Sequence, residues 1–271
     1  MSSLEVRLKP EFSAMRYAKG TFSINESRDI PLLIQVRNSR FISHRQLFEF
    51  MQLAGIEYSR ESFNWRVHRL KSANYISVGK SYFASGNPVY SITRPGLVEL
   101  ENFGRFATVL NSKTQHLPHP SQVPHALELN SVQLELTRKN LLISWKSDVE
   151  VASSNTISAE ALEKDYDAIV DVWNDQTAAR FALEYERTLK SLQQYAKIRR
   201  ALEAEDQLGC ILYLTAGEEI CLHLANEFSG VAKRLAFATA REFREHLLDT
   251  MVMLYPGEPR VPFHSQLGGM F

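Results

Sequence analysis

Asp167, Glu184 and Glu186 are the side chains of this 271-residue chain whose types and spacing could do chemistry together. Two residues apart on a strand, Glu184 and Glu186 leave the same face, and a neighbouring strand can bring Asp167 to meet them. Anions gathered that closely repel, so one of them takes up a proton or a cation joins the group. Hard oxygen ligands suit magnesium, manganese or calcium. Asp167 and Glu184 would hold Mg2+ or Mn2+. Glu186 would be a third ligand or would orient a water, and the chemistry would be metal-assisted hydrolysis of a phosphate ester. Lys190, about one turn further on, could add a positive charge, and Glu150 or Glu128 a further ligand. The competing reading is structural. In it Asp167 caps a turn while Glu184 and Glu186 pair with Arg187, Lys190 or Arg180, at the ~0–1 kcal/mol typical of exposed ion pairs.

Two strands and a helix must position these acids. Residues 166–173 read as one strand, Asn174-Asp175-Gln176 as a polar turn and residues 180–186 as the returning strand, with Thr188 as cap of a helix. Upstream, the pattern predicts a helix over 125–139, a strand over 141–145 and a loop or short helix over 153–164. Downstream it predicts a strand over 209–214, a helix over 218–228, a short strand over 235–239 and a last helix over 242–253. Alternation of this kind, with one early hairpin, indicates a mixed sheet with helices on both faces. The tail, residues 255–271, is rich in proline and glycine and reads as irregular.

Charge divides the chain. Residues 1–120 carry 16 Lys and Arg against 9 Asp and Glu, and residues 121–271 carry 15 against 22. A basic half and an acidic half imply two domains with different partners, and polyanion binding belongs on the first. Residues 1–28 read as an arm with scattered basic side chains. A first helix starts at Asp29, with Pro31 in its opening turn. Ser43-His44-Arg45-Gln46 is a capping-box start for a second helix over 46–54, stopped by Gly55. A third helix over 60–73 has Phe63, Val67 and Leu70 as its apolar stripe. Trp65, His68, Arg69 and Ser72 lie opposite, flanked by Asn64, Arg66 and Lys71. Strands over 75–78 and 89–93 follow, around a turn with Lys80, Gly86 and Asn87. A fourth helix, over 97–106, could pack back or pair with a second copy.

Helix, helix, basic helix and two-stranded hairpin over residues 29–106 resemble a winged helix-turn-helix. That likeness implies a third helix in a DNA major groove and a wing on the backbone. Asn64, Arg66 and Arg69 are types that reach base edges. Lys71 and Lys80 suit phosphates, and Trp65 and His68 share the surface. A solvated face of a small structural module is the bland alternative. Residues 107–124 read as the linker. Its His116, His119 and nearby His125 lack zinc spacing. Cys210 and Cys221 sit in apolar surroundings as core residues.

The order of elements in residues 125–254 resembles the PD-(D/E)xK nuclease fold. Asp167 stands at its Asp, and Glu184-Tyr185-Glu186 at its (D/E)xK, with Glu186 in the lysine place. Some nucleases of that fold use Glu-x-Glu. Over residues 31–245 the chain is also similar to the replication-relaxation proteins of bacterial plasmids and mobile elements. The similarity rests on residues 88–96 (Pro-Val-Tyr-Ser-Ile-Thr-Arg-Pro-Gly), on His125 with Leu129-Asn130 and Val132 ahead of Trp145, and on Asp167-Ala168 followed by Leu183-Glu184-Tyr185-Glu186-Arg187. Tyr166 replaces the proline usual before the Asp. The resemblance implies double-stranded DNA as partner, in plasmid replication, transfer or their control. An α+β, homodimeric, cytoplasmic protein is expected, with no membrane segment, because no apolar run approaches ~20 residues. Either the second domain keeps a nuclease-like fold without cleaving, or it is a metal-dependent endonuclease.

Overall fold

The computed structural model describes residues 23–79, 88–108, 122–231 and 234–268. Lys80, Gly86, Asn87, His116, His119 and most of the basic arm lie outside them. Among the described residues no helix is long and apolar enough to cross a membrane. The chain is α+β.

The first half packs α1 (Asp29–Ser39), α2 (His44–Leu53), α3 (Arg60–Ser72) and α4 (Arg94–Asn102) with a small antiparallel sheet. Its strands are β1 (Ile42–Ser43), β2 (Ile76–Gly79) and β3 (Val89–Ile92), in the order β1-β3-β2. The Ser43 side chain accepts from the Gln46 N–H and the Gln46 side chain closes the box, so α2 starts at His44, ahead of the expected residue 46. Gly55, at φ +68°, ends that stretch. The fourth helix stops short of its expected end, because Gly104 turns left-handed at φ +70°. Gly96 is obligatory for another reason: a Cβ there would collide with the Tyr75 carbonyl oxygen. Leu33, Val36, Leu47, Phe63, Val67 and Leu70 form the core.

The second half is built on a five-stranded sheet, in the order β4-β5-β6-β7-β8. The strands are β4 (Leu142–Ser147), β5 (Ala168–Asn174), β6 (Thr177–Glu186), β7 (Cys210–Thr215) and β8 (Arg234–Thr239). The first three run antiparallel and the last three parallel, which is the expected mixed sheet. Parallel neighbours need crossovers, and α7 (Leu192–Ala204) and α8 (Glu218–Glu227) supply them on one face. The other face is covered by α5 (Val123–Arg138) and α9 (Ala240–His246). Strand β6 shows the division: Phe181, Leu183 and Tyr185 face α5, and Ala182 faces the α7–α8 layer. Both cysteines are buried.

Several expected elements shift. The segment expected as a loop or short helix over 153–164 begins earlier, as α6 (Asp148–Ile157), because Ser147 and Glu150 form a capping box. Helix α7 is capped by Ser191 with Gln194, not by Thr188, so Lys190 precedes the helix it was placed on. The last helix breaks at Leu247, φ +51°. The chain there passes into β9 (Met251–Val252), which pairs with β10 (Val261–Pro262). The tail is therefore part of the fold, and Phe263 is fully buried with its ring edge-on to Phe181, centroids 5.1 Å apart.

Helix α5, which starts two residues inside the expected linker, joins the halves. Leu134 enters the first core and Val132 and Leu136 the second. Asn130 donates to the Phe41 carbonyl at 2.8 Å, Gln46 donates to the Leu127 carbonyl at 2.7 Å, and Arg40 pairs with Asp148.

Candidate functional site

The first candidate surface is α3. Phe63, Val67 and Leu70 point into the core, which turns Asn64, Trp65, His68 and Lys71 to solvent. Trp65 is 57% exposed although it is a large aromatic side chain. The Arg69 guanidinium carbon lies 5.2 Å from its ring centre, a cation–π contact that holds the indole outward. Arg69 is in turn ion-paired to Asp29 and donates to the Ser23 carbonyl at 2.8 Å. Burial keeps the His44 imidazole below its ordinary pKa, against the pull of Asn64. A neutral ring fits its contacts, with Nε2 3.0 Å from Asn64 Oδ1 and Nδ1 2.8 Å from the Tyr90 hydroxyl.

Arg66 is the correction on this helix. It is only 3% exposed and its guanidinium pairs with Asp29, at 2.5 Å, and with Glu57. Both carboxylates are fully buried, and Arg28 and Arg69 complete the cluster. An arginine so placed reads no base edge; it ties α3 to the start of α1 and to the α2–α3 connection.

The second candidate surface is the acid-bearing end of the large sheet. The β5–β6 hairpin has the register Ala168↔Leu183, which sets Asp167 beside Glu184. Asp167 Oδ2 accepts the Tyr185 backbone N–H at 2.7 Å, and its Oδ1 lies 3.1 Å from His125 Nε2. Glu184 Oε1 lies 2.6 Å from Lys164 Nζ, and Glu186 pairs with Lys190. Each acid thus has its own partner, a lysine for Glu184 and for Glu186 and the His125 imidazole for Asp167. Glu184 and Glu186 are 8% and 7% exposed, so these are not solvent-screened pairs.

The electrostatics follow from that pairing. Burial pushes the Asp167 carboxyl up, but His125, the Tyr185 N–H and Lys164 outweigh it and hold the group below the usual carboxylate range. Burial holds Glu184 above that range despite Lys164, and the neighbouring Asp167 adds to the rise. Burial would lower His125, yet Asp167, Glu184 and Asp148 raise it. Lys190 is likewise raised, burial being overcome by Glu186 and then by Glu184 and Asp167.

The magnesium- or manganese-binding expectation is tested by this donor set. Among the described residues no three His, Cys, Asp or Glu side chains gather as a ligand group, and the carboxylates face His125, Lys164 and Lys190. Asp167, Glu184 and Glu186 are engaged by side chains of the protein itself, and no step is derived through a metal. Glu150 and Glu128 are also engaged, Glu150 in the α6 cap and Glu128 with Arg244 at 2.7 Å. Arg180 goes to Asp171, not to the acids of the site.

Residues that motif reasoning did not assign complete the surroundings. A cavity of about 60 Å³ between the halves is walled by Arg40, His125, Asn130, Trp145, Asp148 and Asp167. Burial raises the Asp148 carboxyl against Arg40, with Asp167 adding to the rise. Lys164 carried no spacing signal, whereas His125 was marked by the family resemblance. A recess of about 690 Å³ lies elsewhere, against Ile30, Ile34, Phe50, Met51 and Phe103.

No protein-family model matches the chain, and neither a curated protein nor a solved structure matches it.

Proposed function

We propose that this protein binds double-stranded DNA through α3, working as the reading helix of a winged helix-turn-helix in which β2 and β3 form the wing. The second half, in this reading, is a PD-(D/E)xK nuclease-like domain that does not cleave and serves dimerisation or partner recruitment. The resemblance to replication-relaxation proteins suggests the setting: replication, transfer or transcription control of a bacterial plasmid or mobile element. The observation that carries the DNA reading is the outward face of α3, where Trp65 is exposed and braced by Arg69 beside Asn64, His68 and Lys71. A merely solvated face gives no reason for an exposed, braced indole. Arg66 leaves the list of base readers, and so does Arg69, whose guanidinium is committed to Asp29 and the Ser23 carbonyl; Asn64 remains, with Lys71 for phosphate.

The carboxylate–cation pairs support the non-cleaving role. In this reading His125, Lys164 and Lys190 hold the three acids as structural partners.

The test is fluorescence anisotropy of the full chain with labelled duplexes in EDTA, with Trp65→Ala and Lys71→Ala variants. Binding weakened in both variants is the expected result, and wild-type protein that fails to bind any duplex defeats the reading. In parallel, supercoiled plasmid is incubated with Mg2+ or Mn2+. Nicking that disappears in Glu184→Gln would replace the non-cleaving role with a metal-dependent endonuclease. Sedimentation with and without DNA tests the homodimer.

A further inference from the structure

Between Arg187 and Leu202 the chain carries Arg187, Lys190, Lys197, Arg199 and Arg200 and no acidic residue. This stands out in a half whose acids outnumber its cations 22 to 15. Three of these five cations are engaged. Lys190 holds Glu186, Arg187 has a partner of its own, and Arg199 donates to the carbonyls of Glu227 and Ser229 at 2.6 and 2.9 Å, with Glu203 at 3.7 Å. Lys197 and Arg200 differ. Both are exposed, and among the described residues neither forms an ion pair. Three apart on α7, they share one face, while Tyr195 and Leu202 bury the opposite face in the sheet.

We infer that this face of α7 is a second contact surface for the phosphate backbone of double-stranded DNA. The inference rests on the DNA-binding reading of α3 and extends it to the half whose net charge argues against phosphate contact. Two further observations direct it toward the same duplex. Val89 of the β2–β3 ribbon packs on Val123 and Ala126, in the first turn of α5. From that turn His125 reaches Asp167, and the β6 strand leads through Glu186 to Lys190 just before α7. The first turn of α5 and the paired acids thus connect the ribbon to the start of α7, and Lys197 and Arg200 follow about one and a half and two turns into that helix. Lys164 at Glu184 and Lys190 at Glu186 reduce the repulsion that bare carboxylates would exert on a phosphate backbone nearby.

The experiment compares wild type with Lys197→Ala/Arg200→Ala in the full chain, on duplexes of about one and a half and about four helical turns, measuring affinity against salt concentration. Both side chains are exposed, and an unchanged thermal midpoint checks the fold of the variant. On the longer duplex the slope of log affinity against log salt should fall in magnitude by about 2, one counterion for each lost phosphate contact. On the shorter duplex, filled by α3 and the ribbon, the slope should stay as in wild type. Unchanged slopes on both lengths, with Lys71→Ala still weakening binding, would overturn the α7 surface and leave the α3 reading standing. Wild-type protein that binds neither duplex would overturn both. Binding to phosphatidylserine vesicles that is lost in the double variant, with DNA binding intact, would assign the face to a membrane and overturn the inference.

Discussion

Replacing Arg66 separates a structural arginine from a base-reading one. Its guanidinium, buried to 3% exposure, lies 2.5 Å from Asp29 and also pairs with Glu57, and both acids are fully buried. Removing one partner of a buried ion pair costs about 3–5 kcal/mol, because a desolvated charge is left behind. Here Arg28 and Arg69 stay with Glu57 and Asp29 after the change, so the two acids keep one cation each. The lower end, about 3 kcal/mol, is therefore expected for Arg66→Met, which fills much of the vacated space. At roughly 2–4 °C per kcal/mol for a chain of this size, the thermal midpoint should fall by about 6–12 °C. Exposed Lys71→Ala should change stability by no more than about 0.5 kcal/mol while weakening DNA binding. Urea denaturation and calorimetry give the stabilities, and duplex anisotropy gives the binding. An Arg66→Met protein as stable as wild type that had lost affinity for DNA would refute the interior role and return Arg66 to the binding face.

Three further outcomes follow from the second half. Phe263→Ala should cost about 3–5 kcal/mol in urea denaturation, because the ring is fully buried against Phe181 and Phe243; an effect under 1 kcal/mol would mean that the tail does not pack as described. The His125–Asp167 pair should show a pH window. His125 is raised, so its contribution is complete below its unfolded pKa of about 6.5 and is lost as pH rises through the folded value. Asp167 is lowered, so its contribution is present above about 3.9 and is lost as pH falls through the folded value. The stability lost in His125→Asn should thus be larger near pH 6 than near pH 9, and equal losses at both would contradict the pairing. Finally, millimolar Mg2+ should leave the thermal midpoint unchanged, whereas binding at a hundredfold excess over Kd would add about 2.7 kcal/mol; a clear rise would mean that the acids release their protein cations to a metal.

Much of the fold was legible in the sequence because the signals that start and stop elements are short. Ser43 with Gln46 marked α2, the alternation of Phe181, Leu183 and Tyr185 marked β6, and Gly55 marked a stop. The same kind of signal stood unread at Ser147 with Glu150, so α6 was expected late, and at Ser191 with Gln194, so α7 was capped three residues too early. Phe263 carried no signal at all. Among prolines and glycines its aromatic ring has no periodic partner, and only packing against Phe181 and Phe243 gives it a place.

The candidate sites divide in the same way. Spacing alone set Glu184 and Glu186 on one face, and the hairpin register then brought Asp167 to Glu184. Spacing also turned Trp65 away from the stripe of Phe63, Val67 and Leu70. Lys190 on Glu186 was among the expected pairs, but the partners of the other acids were not legible. Lys164 reaches Glu184 from 20 residues away, His125 reaches Asp167 from 42, and Asp29 draws Arg66 inward across 37. Caps and periods are interactions within about four residues, so the chain carries them wherever it goes. The partner of a buried charge is set by desolvation, which exists only once distant segments have closed around it.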